Sequence, residues 1–232
     1  MNDGSEAVPA PIVPALRPSE YTAALIQVLQ VDAARLRGAN VLEIGSGSGV
    51  VLAALGALGA ASVCGVDIER DAVEAGGLLL RRLGHDNAEF HCGDMWLPVA
   101  GRRFDLVVAN LPHFPMEPVP VSGRLPTWSA GGADGRWLLD GFIKGLPIHL
   151  EVGGRAIITH NAFVGLERSR SLARTHGLGF DIRFSVLVYI PEPKLARMTP
   201  AVLRAEEGRT LHRYGPYTFG EVHIVEIGRG TA

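Results

Sequence analysis

Residues 40–67 read NVLEIGSGSGVVLAALGALGAASVCGVD. The run opens with strand character at 40–44 (NVLEI) and passes at once into a glycine-rich turn, GSGSG, at 45–49. An apolar helical stretch at about 50–58 follows, closed by Gly59, and 62–67 (SVCGVD) is a second strand. Strand, glycine turn, helix and strand in this order form the repeating unit of a parallel sheet. Glycines in such a turn accept positive φ and let the backbone approach a ligand closely. The ligand sits beyond the carboxyl end of the strand, beside the helix N-terminus.

Outward from this unit the alternation continues. A helix at about 71–83 ends at Gly84, and 88–92 (AEFHC) and 104–109 (FDLVVA) are the third and fourth strands. A long loop at 110–135 leads to a helix at about 136–150, a strand at 154–160, a helix at 165–176 and strands at 180–190 and 221–227. Upstream, Ser19 is an N-cap for a helix at 20–30 with Leu25, Ile26 and Leu29 on its apolar face. The pattern predicts an α/β fold with a doubly wound, mostly parallel sheet. The last two strands have no full helical crossover between them, which leaves room for an antiparallel final strand.

Residues 1–16, rich in Pro and Ala, are expected to be a disordered tail. Residues 17–232 are expected to be one domain with an inserted segment at about 191–220. That segment is too long for a hairpin loop. It carries a helix of its own, with Thr199 as N-cap, Pro200 at the first helical position and Gly208 past the end. A tolerated surface insertion and a substrate-recognition element account for it about equally well.

Across 232 residues, 22 basic and 24 acidic side chains give a net charge of −2. This excludes a nucleic-acid binder that works through bulk positive charge, though not a local basic patch. Residues 1–150 carry a net −5 and 151–232 a net +3, and Arg168, Arg170 and Arg174 lie on one predicted helix. Cys64 and Cys92 each sit in a short apolar run, as buried small hydrophobes of a reducing compartment do. No CxxC pair or His cluster has metal-ligand spacing, so no metal is expected. Without a basic n-region, or a stretch approaching 18 apolar residues, the expectation is a cytoplasmic protein, monomer or homodimer, that does not enter a membrane.

The acids around the glycine turn narrow the ligand. Counted from Gly45, a dinucleotide fingerprint needs Gly or Ala at position 50, which is Val. Glu43, two residues before Gly45, would repel a pyrophosphate and favour a cationic or hydroxylated group. Asp67, at the end of the second strand, can accept from both hydroxyls of a ribose. Asp94 follows the third strand and can accept from an adenine amino group, with Ile68 and Met95 packing on the ring. Gly45, Ser46, Gly47 and Gly49 complete the cradle. Together these residues favour a nucleoside cofactor without a diphosphate, and S-adenosylmethionine, with a ribose, a sulfonium cation and an amino-acid tail, fits.

The fourth strand ends in Asn110-Leu111-Pro112-His113, on the same sheet edge as the cofactor loop. A planar nitrogen is a weak nucleophile because its lone pair is delocalised. Two acceptors, the Asn110 side-chain oxygen and the Leu111 carbonyl, can hold its two hydrogens and turn the lone pair toward a methyl donor. A flat side chain after Pro112 can stack on the target; His113 can stack, relay a proton or cap the loop, with stacking slightly ahead of the loop cap. The segment Gly131-Gly132-Ala133-Asp134-Gly135 can pin this loop.

These motifs in this order resemble the class I S-adenosylmethionine-dependent methyltransferases, and within them the small-methyltransferase group that holds the HemK-type release-factor glutamine N5-methyltransferases. That group carries an Asn-Pro-Pro-Tyr motif, matched here at 110–113 with Leu111 and His113 as departures. Leu16-Arg17-Pro18-Ser19-Glu20-Tyr21-Thr22 resembles the group's upstream segment, and residues 131–135 its downstream one. The resemblance implies strand order 3-2-1-4-5-7-6 with the seventh strand antiparallel. It also implies a place for Thr22 at the cofactor and for Asn110 at both cofactor and target nitrogen. The acceptor it implies most simply is a protein glutamine; a base in RNA or DNA and a small molecule of specialised metabolism are alternatives. The release-factor enzymes have a helical N-terminal domain that grips the substrate, and about 38 residues before the first strand are too few for it.

Overall fold

The computed structural model describes residues 17–117 and 129–229. The expected tail at 1–16 and much of the 110–135 loop lie outside them. In chain order the elements are α1 (Glu20–Val31), α2 (Ala33–Leu36), β1 (Asn40–Ile44), α3 (Val50–Ala57), β2 (Ser62–Asp67), α4 (Arg70–Arg82), β3 (Ala88–Cys92), β4 (Phe104–Ala109), α5 (Trp137–His149), β5 (Leu150–Asn161), α6 (Leu166–Thr175), β6 (Gly179–Ile190), α7 (Glu192–Leu195), α8 (Pro200–Glu206), β7 (Leu211–Tyr214) and β8 (Tyr217–Gly228).

One sheet holds all eight strands, in the order β3-β2-β1-β4-β5-β8-β6, with β7 paired to β8. This is the expected order once the short additional strand β7 is counted. The pairs from β3 to β5 are parallel, and β8 runs antiparallel to both β5 and β6. The reversed β8 puts the carboxyl ends of β1, β2, β4, β5 and β6 along one edge.

Side chains alternate across the sheet and feed two cores. On one face Val41, Leu106, Val108, Ile157 and Ile224 pack under α1, α3 and α4. On the other, Leu42, Ile44, Val107, Ala109 and Ile158 pack under α5 with Phe142, Ile143 and Leu146. The central strands are buried on both faces, which is why they read as continuous apolar runs rather than as alternation. Burying one Leu or Ile completely is worth about 1.5–3 kcal/mol, so these layers fix the register of β1 and β4 and thereby the position of the loops after them.

Four details differ from the sequence reading. Cys92 is exposed rather than buried, because it lies at the end of edge strand β3; Cys64 is buried, and both thiols are free. Thr199 occupies the N-cap of α8 without capping it; its hydroxyl donates instead to the Ala133 carbonyl at 2.7 Å. The last strand begins at Tyr217 rather than 221, since a tight turn through Gly215 (φ 60°) folds β7 back on it. Beyond the last β5–β8 pair, Asn161 with Val222, β7 takes over that edge of β8. No helix among the described residues is long and apolar enough to cross a membrane.

Candidate active site

The glycine turn leaves β1 with three left-handed residues, Gly45 (φ 72°), Gly47 (φ 51°) and Gly49 (φ 77°). Gly49 also packs where a Cβ would stand 2.9 Å from the Gly76 backbone, so the turn meets α4 closely there only because residue 49 lacks a side chain. Asp67 Oδ2 accepts from Gly47 N–H at 2.8 Å and Oδ1 from Glu69 N–H at 2.9 Å. The acid at the end of β2 therefore holds the turn in shape, and each oxygen keeps a lone pair for a ligand.

Glu43 is 2% exposed. Burial pushes its carboxyl well above the usual range, and the negative charge of Asp67 adds to the shift. Its Oε2, like the Ser46 hydroxyl, is buried with no hydrogen-bond partner among the described residues. Beside them Ile68 is 68% exposed, an apolar surface at the end of β2. Met95 adopts φ 43° next to Asp94, a conformation uncommon for a non-glycine residue and frequent at ligand sites. Asp94 itself is exposed. A buried acid with one unpartnered oxygen, an acid-anchored glycine turn and an exposed apolar side chain fit a ligand with a cation, a ribose and a flat ring.

At the end of β4, Asn110 Oδ1 accepts from the Thr159 hydroxyl of β5 at 2.8 Å. That bond fixes the amide plane and leaves the second lone pair of the oxygen available. A cavity of about 290 Å³ opens beside it, lined by Tyr21, Asn110, Pro112, Phe114, Tyr189 and Lys194 among others. Tyr21 comes from the start of α1, where Ser19 N–H donates to Thr22 Oγ1 at 3.2 Å and closes the first turn. The Thr22 hydroxyl is thus used within the helix cap. The Tyr21 hydroxyl donates to Asn161 Oδ1 at 2.9 Å, which ties α1 to the end of β5.

His113 does not stand free in the cavity. It is 3% exposed, and its Nδ1 donates to the Leu111 carbonyl. The ring packs edge-on against Tyr21 at 6.1 Å between centroids. Burial drops its pKa to about 4, so the imidazole is neutral at physiological pH. Instead of offering a face for stacking, the side chain braces the backbone carbonyl of Leu111.

The segment 131–135 does pin the loop. Phe114 N–H donates to the Ser129 carbonyl and Gly131 N–H to the Phe114 carbonyl, both at 2.8 Å. A Cβ on Gly131 would stand 2.8 Å from the His113 Cα, so only glycine allows this approach. The segment after β6 joins the same assembly: Thr199 N–H donates to the Pro115 carbonyl at 2.7 Å, and Pro191 and Lys194 line the cavity. The start of the 191–220 segment is therefore a wall of the site.

Two further clusters of charged or ligating groups find partners within the chain. Arg168 pairs with Asp134 and Asp140, and Arg170 with Glu167, so two of the three arginines on α6 are already matched to acids. Cys64, Glu89 and His91 bring metal-ligating atoms within 4.8 Å of one another. The Arg102 guanidinium occupies that cluster, 2.8 Å from Glu89 and 3.8 Å from the Cys64 sulfur, and burial raises the Cys64 thiol to about 11. A cation there would have to displace an arginine.

The site residues that the sequence did not single out are Thr159, Asn161, Tyr189 and Lys194. Lys194 carried one signal, since it is one of only two lysines among 22 basic residues.

With this geometry in view, the comparisons are consistent. A family model described as a methyltransferase domain matches residues 41–121. A Methanocaldococcus jannaschii protein provisionally named a protein N5-glutamine methyltransferase is 31% identical over 182 residues, 78% of this chain and 90% of that one. The chain belongs to the class I S-adenosylmethionine-dependent methyltransferases, in the small-methyltransferase group that resembles the HemK-type enzymes. The release factor glutamine methyltransferase of Xylella fastidiosa (strain Temecula1) is 30% identical over 145 residues, 60% of this chain and 52% of that protein. This methyltransferase thus spans about half the length of that relative. Among solved structures, the E. cuniculi Mtq2–Trm112 complex, described as responsible for methylation of the termination factor eRF1, matches with TM-score 0.58 at 18% identity, covering 92% of this chain and 98% of that one. The ribosomal protein L11 methylase of Lactobacillus delbrueckii subsp. bulgaricus matches with TM-score 0.54 at 18% identity, covering 90% and 79%. These two likenesses speak to the fold.

Proposed function

We propose that this methyltransferase transfers a methyl group from S-adenosylmethionine to a planar amide nitrogen, the side chain of a glutamine in a protein. The observation that carries the reading is the Asn110 amide, fixed by Thr159 at the rim of a cavity on the sheet edge that also holds the acidic glycine turn. The relatives named for glutamine methylation support the choice of acceptor.

The cofactor supplies an electrophilic methyl on a cationic sulfur. Glu43, Asp67 and Asp94 bind its charged and hydroxylated parts, the turn 45–49 its amino-acid tail, and Ile68 and Met95 its ring. Thr22 serves indirectly, by setting the first turn of α1. On the acceptor side Asn110 Oδ1 and the Leu111 carbonyl accept the two amide hydrogens. With both held, the nitrogen lone pair points toward the donor, and most of the rate gain comes from orientation. The new N–C bond forms as the S–C bond breaks, and the nitrogen then gives up one proton to water. No base has to act before the attack, and His113, neutral and already bonded to Leu111, supports the carbonyl rather than taking a proton.

Incubation of cell extract with S-adenosylmethionine labelled in the methyl group tests the reading. Label is expected in protein, and acid hydrolysis should release it as methylamine, because an N-methylated glutamine hydrolyses to glutamate and methylamine. Label that is sensitive to nuclease, or confined to small molecules, would overturn it.

A further inference from the structure

Lys194 stands at the end of α7, half-buried in the wall of the acceptor cavity. Its Nζ donates to Ser129 Oγ at 3.1 Å and lies 4.1 Å from the centroid of the Phe114 ring. No carboxylate among the described residues lies within ion-pair distance of it, and Glu20 acts on it only through space. Burial pulls its pKa below the usual lysine range. An ammonium has three donors; Ser129 takes one, and the aromatic face offsets part of the lost hydration. A desolvated cation held in a cavity wall, with Glu20 across the same cavity and no carboxylate in direct contact among the described residues, is complementary to an oxygen that carries negative charge.

A planar amide offers such an oxygen. The delocalisation that weakens its nitrogen places negative charge on the carbonyl oxygen two bonds away. Asn110 and Leu111 account for the nitrogen end of the acceptor, and the structure otherwise leaves the oxygen end without a partner. We propose that Lys194 binds the carbonyl oxygen of the acceptor and so selects an amide over an amine or ring nitrogen that has no neighbouring oxygen. Lys194 is a specificity residue here and not an activator: its pull on the oxygen deepens the delocalisation and does nothing to free the lone pair. Its gain is placement, since an amide held at both ends cannot rotate away from the donor. The inference rests on the amide reading given above.

The test uses the full chain saturated with S-adenosylhomocysteine and two probes, N-acetylglutamine methylamide and its anionic isostere N-acetylglutamate methylamide, with binding followed by NMR titration. The wild-type protein is expected to bind both probes, the glutamate probe gaining at Lys194 and losing the two hydrogen bonds to Asn110 Oδ1 and the Leu111 carbonyl. Lys194→Met should weaken the glutamate probe at least about tenfold and the glutamine probe less. Lys194→Arg should restore most of the loss, and affinity for S-adenosylhomocysteine should stay unchanged in both variants as a check on folding. In turnover on a protein acceptor, Lys194→Met should raise KM more than it lowers kcat. Equal binding of both probes by wild type and Lys194→Met, or no uptake of either probe by the wild type, would overturn the inference. If labelling shows no amide methylation while Lys194→Met still loses the glutamate probe, the substrate reading fails and the oxygen-binding site stands.

Discussion

The two halves of the active edge are built in opposite ways. The donor half, at the ends of β1, β2 and β3, comes from residues close together in sequence: Glu43, the turn 45–49, Asp67 and Asp94 all fall within 52 positions. It is acidic and rich in glycine, and it exposes Ile68. The acceptor half, at the ends of β4, β5 and β6, is assembled from four distant segments: Tyr21, Asn110 to Phe114, Thr159 and Tyr189 to Lys194. It is aromatic, and Lys194 and Glu20 are the charged side chains among the described residues that line its cavity. A charge gradient from acids to a lysine along one sheet edge suits a cationic donor at one end and an oxygen-bearing acceptor at the other.

Asn110 is where the two halves part most clearly. Asn110→Ala should lower kcat by about 10²–10³-fold, the usual cost of removing an oriented polar contact at a reacting group. Affinity for S-adenosylmethionine, measured by calorimetry, should change little. A parallel loss of both would mean that the two halves are not separable.

In the donor half the largest effect is expected at Glu43. Its pKa is raised by burial and by Asp67, so in the ligand-free protein its ionised form costs stability. The sign follows from linkage: an acid whose folded pKa lies above its unfolded value stabilises the fold at low pH and loses that contribution as pH rises through the folded pKa. Glu43→Gln should therefore raise the neutral-pH Tm of the ligand-free protein, by a free energy of about 1–3 kcal/mol. It should also weaken cofactor binding by about tenfold or more, as loss of a charge-assisted contact does. A variant that is less stable and binds normally would contradict the role given to this acid.

How legible each half was in the sequence follows from how it is built. The donor half could be read because a glycine turn between a strand and a helix is a local signal, and the acids lie at fixed offsets from it. The buried central strands could be read as well, from their apolar runs, whereas their order was implied only by the family resemblance. Lys194 and Thr159 could not be read, because their place depends on the pairing of β5, β6 and β8. The role of His113 stayed open in the sequence for a related reason: adjacency to Pro112 says nothing of which way a ring turns, and the ring packs against Tyr21 from α1. Cys92 was misread because an apolar run does not reveal an edge strand.

Smaller effects sharpen the acceptor half. Thr159→Val removes the donor that fixes the Asn110 amide and should lower kcat by roughly tenfold, about one hydrogen bond's worth of orientation, with cofactor affinity unchanged and Thr159→Ser close to wild type. For His113, the folded pKa of about 4 lies below the ordinary value of 6.5. Its contribution to stability is therefore present above about pH 6.5 and lost as pH falls toward 4. His113→Asn should flatten that part of the stability curve followed by urea unfolding; an unchanged slope between those pH values would remove the histidine from the account.

The central claim is that donor and acceptor meet at Asn110, and a crystal structure with S-adenosylhomocysteine and a glutamine-bearing peptide tests it most directly. The account predicts the cofactor sulfur over the glycine turn and the glutamine nitrogen within hydrogen-bond distance of both Asn110 Oδ1 and the Leu111 carbonyl. A cofactor bound away from Glu43 and Asp67, or a glutamine nitrogen out of reach of Asn110, would contradict it.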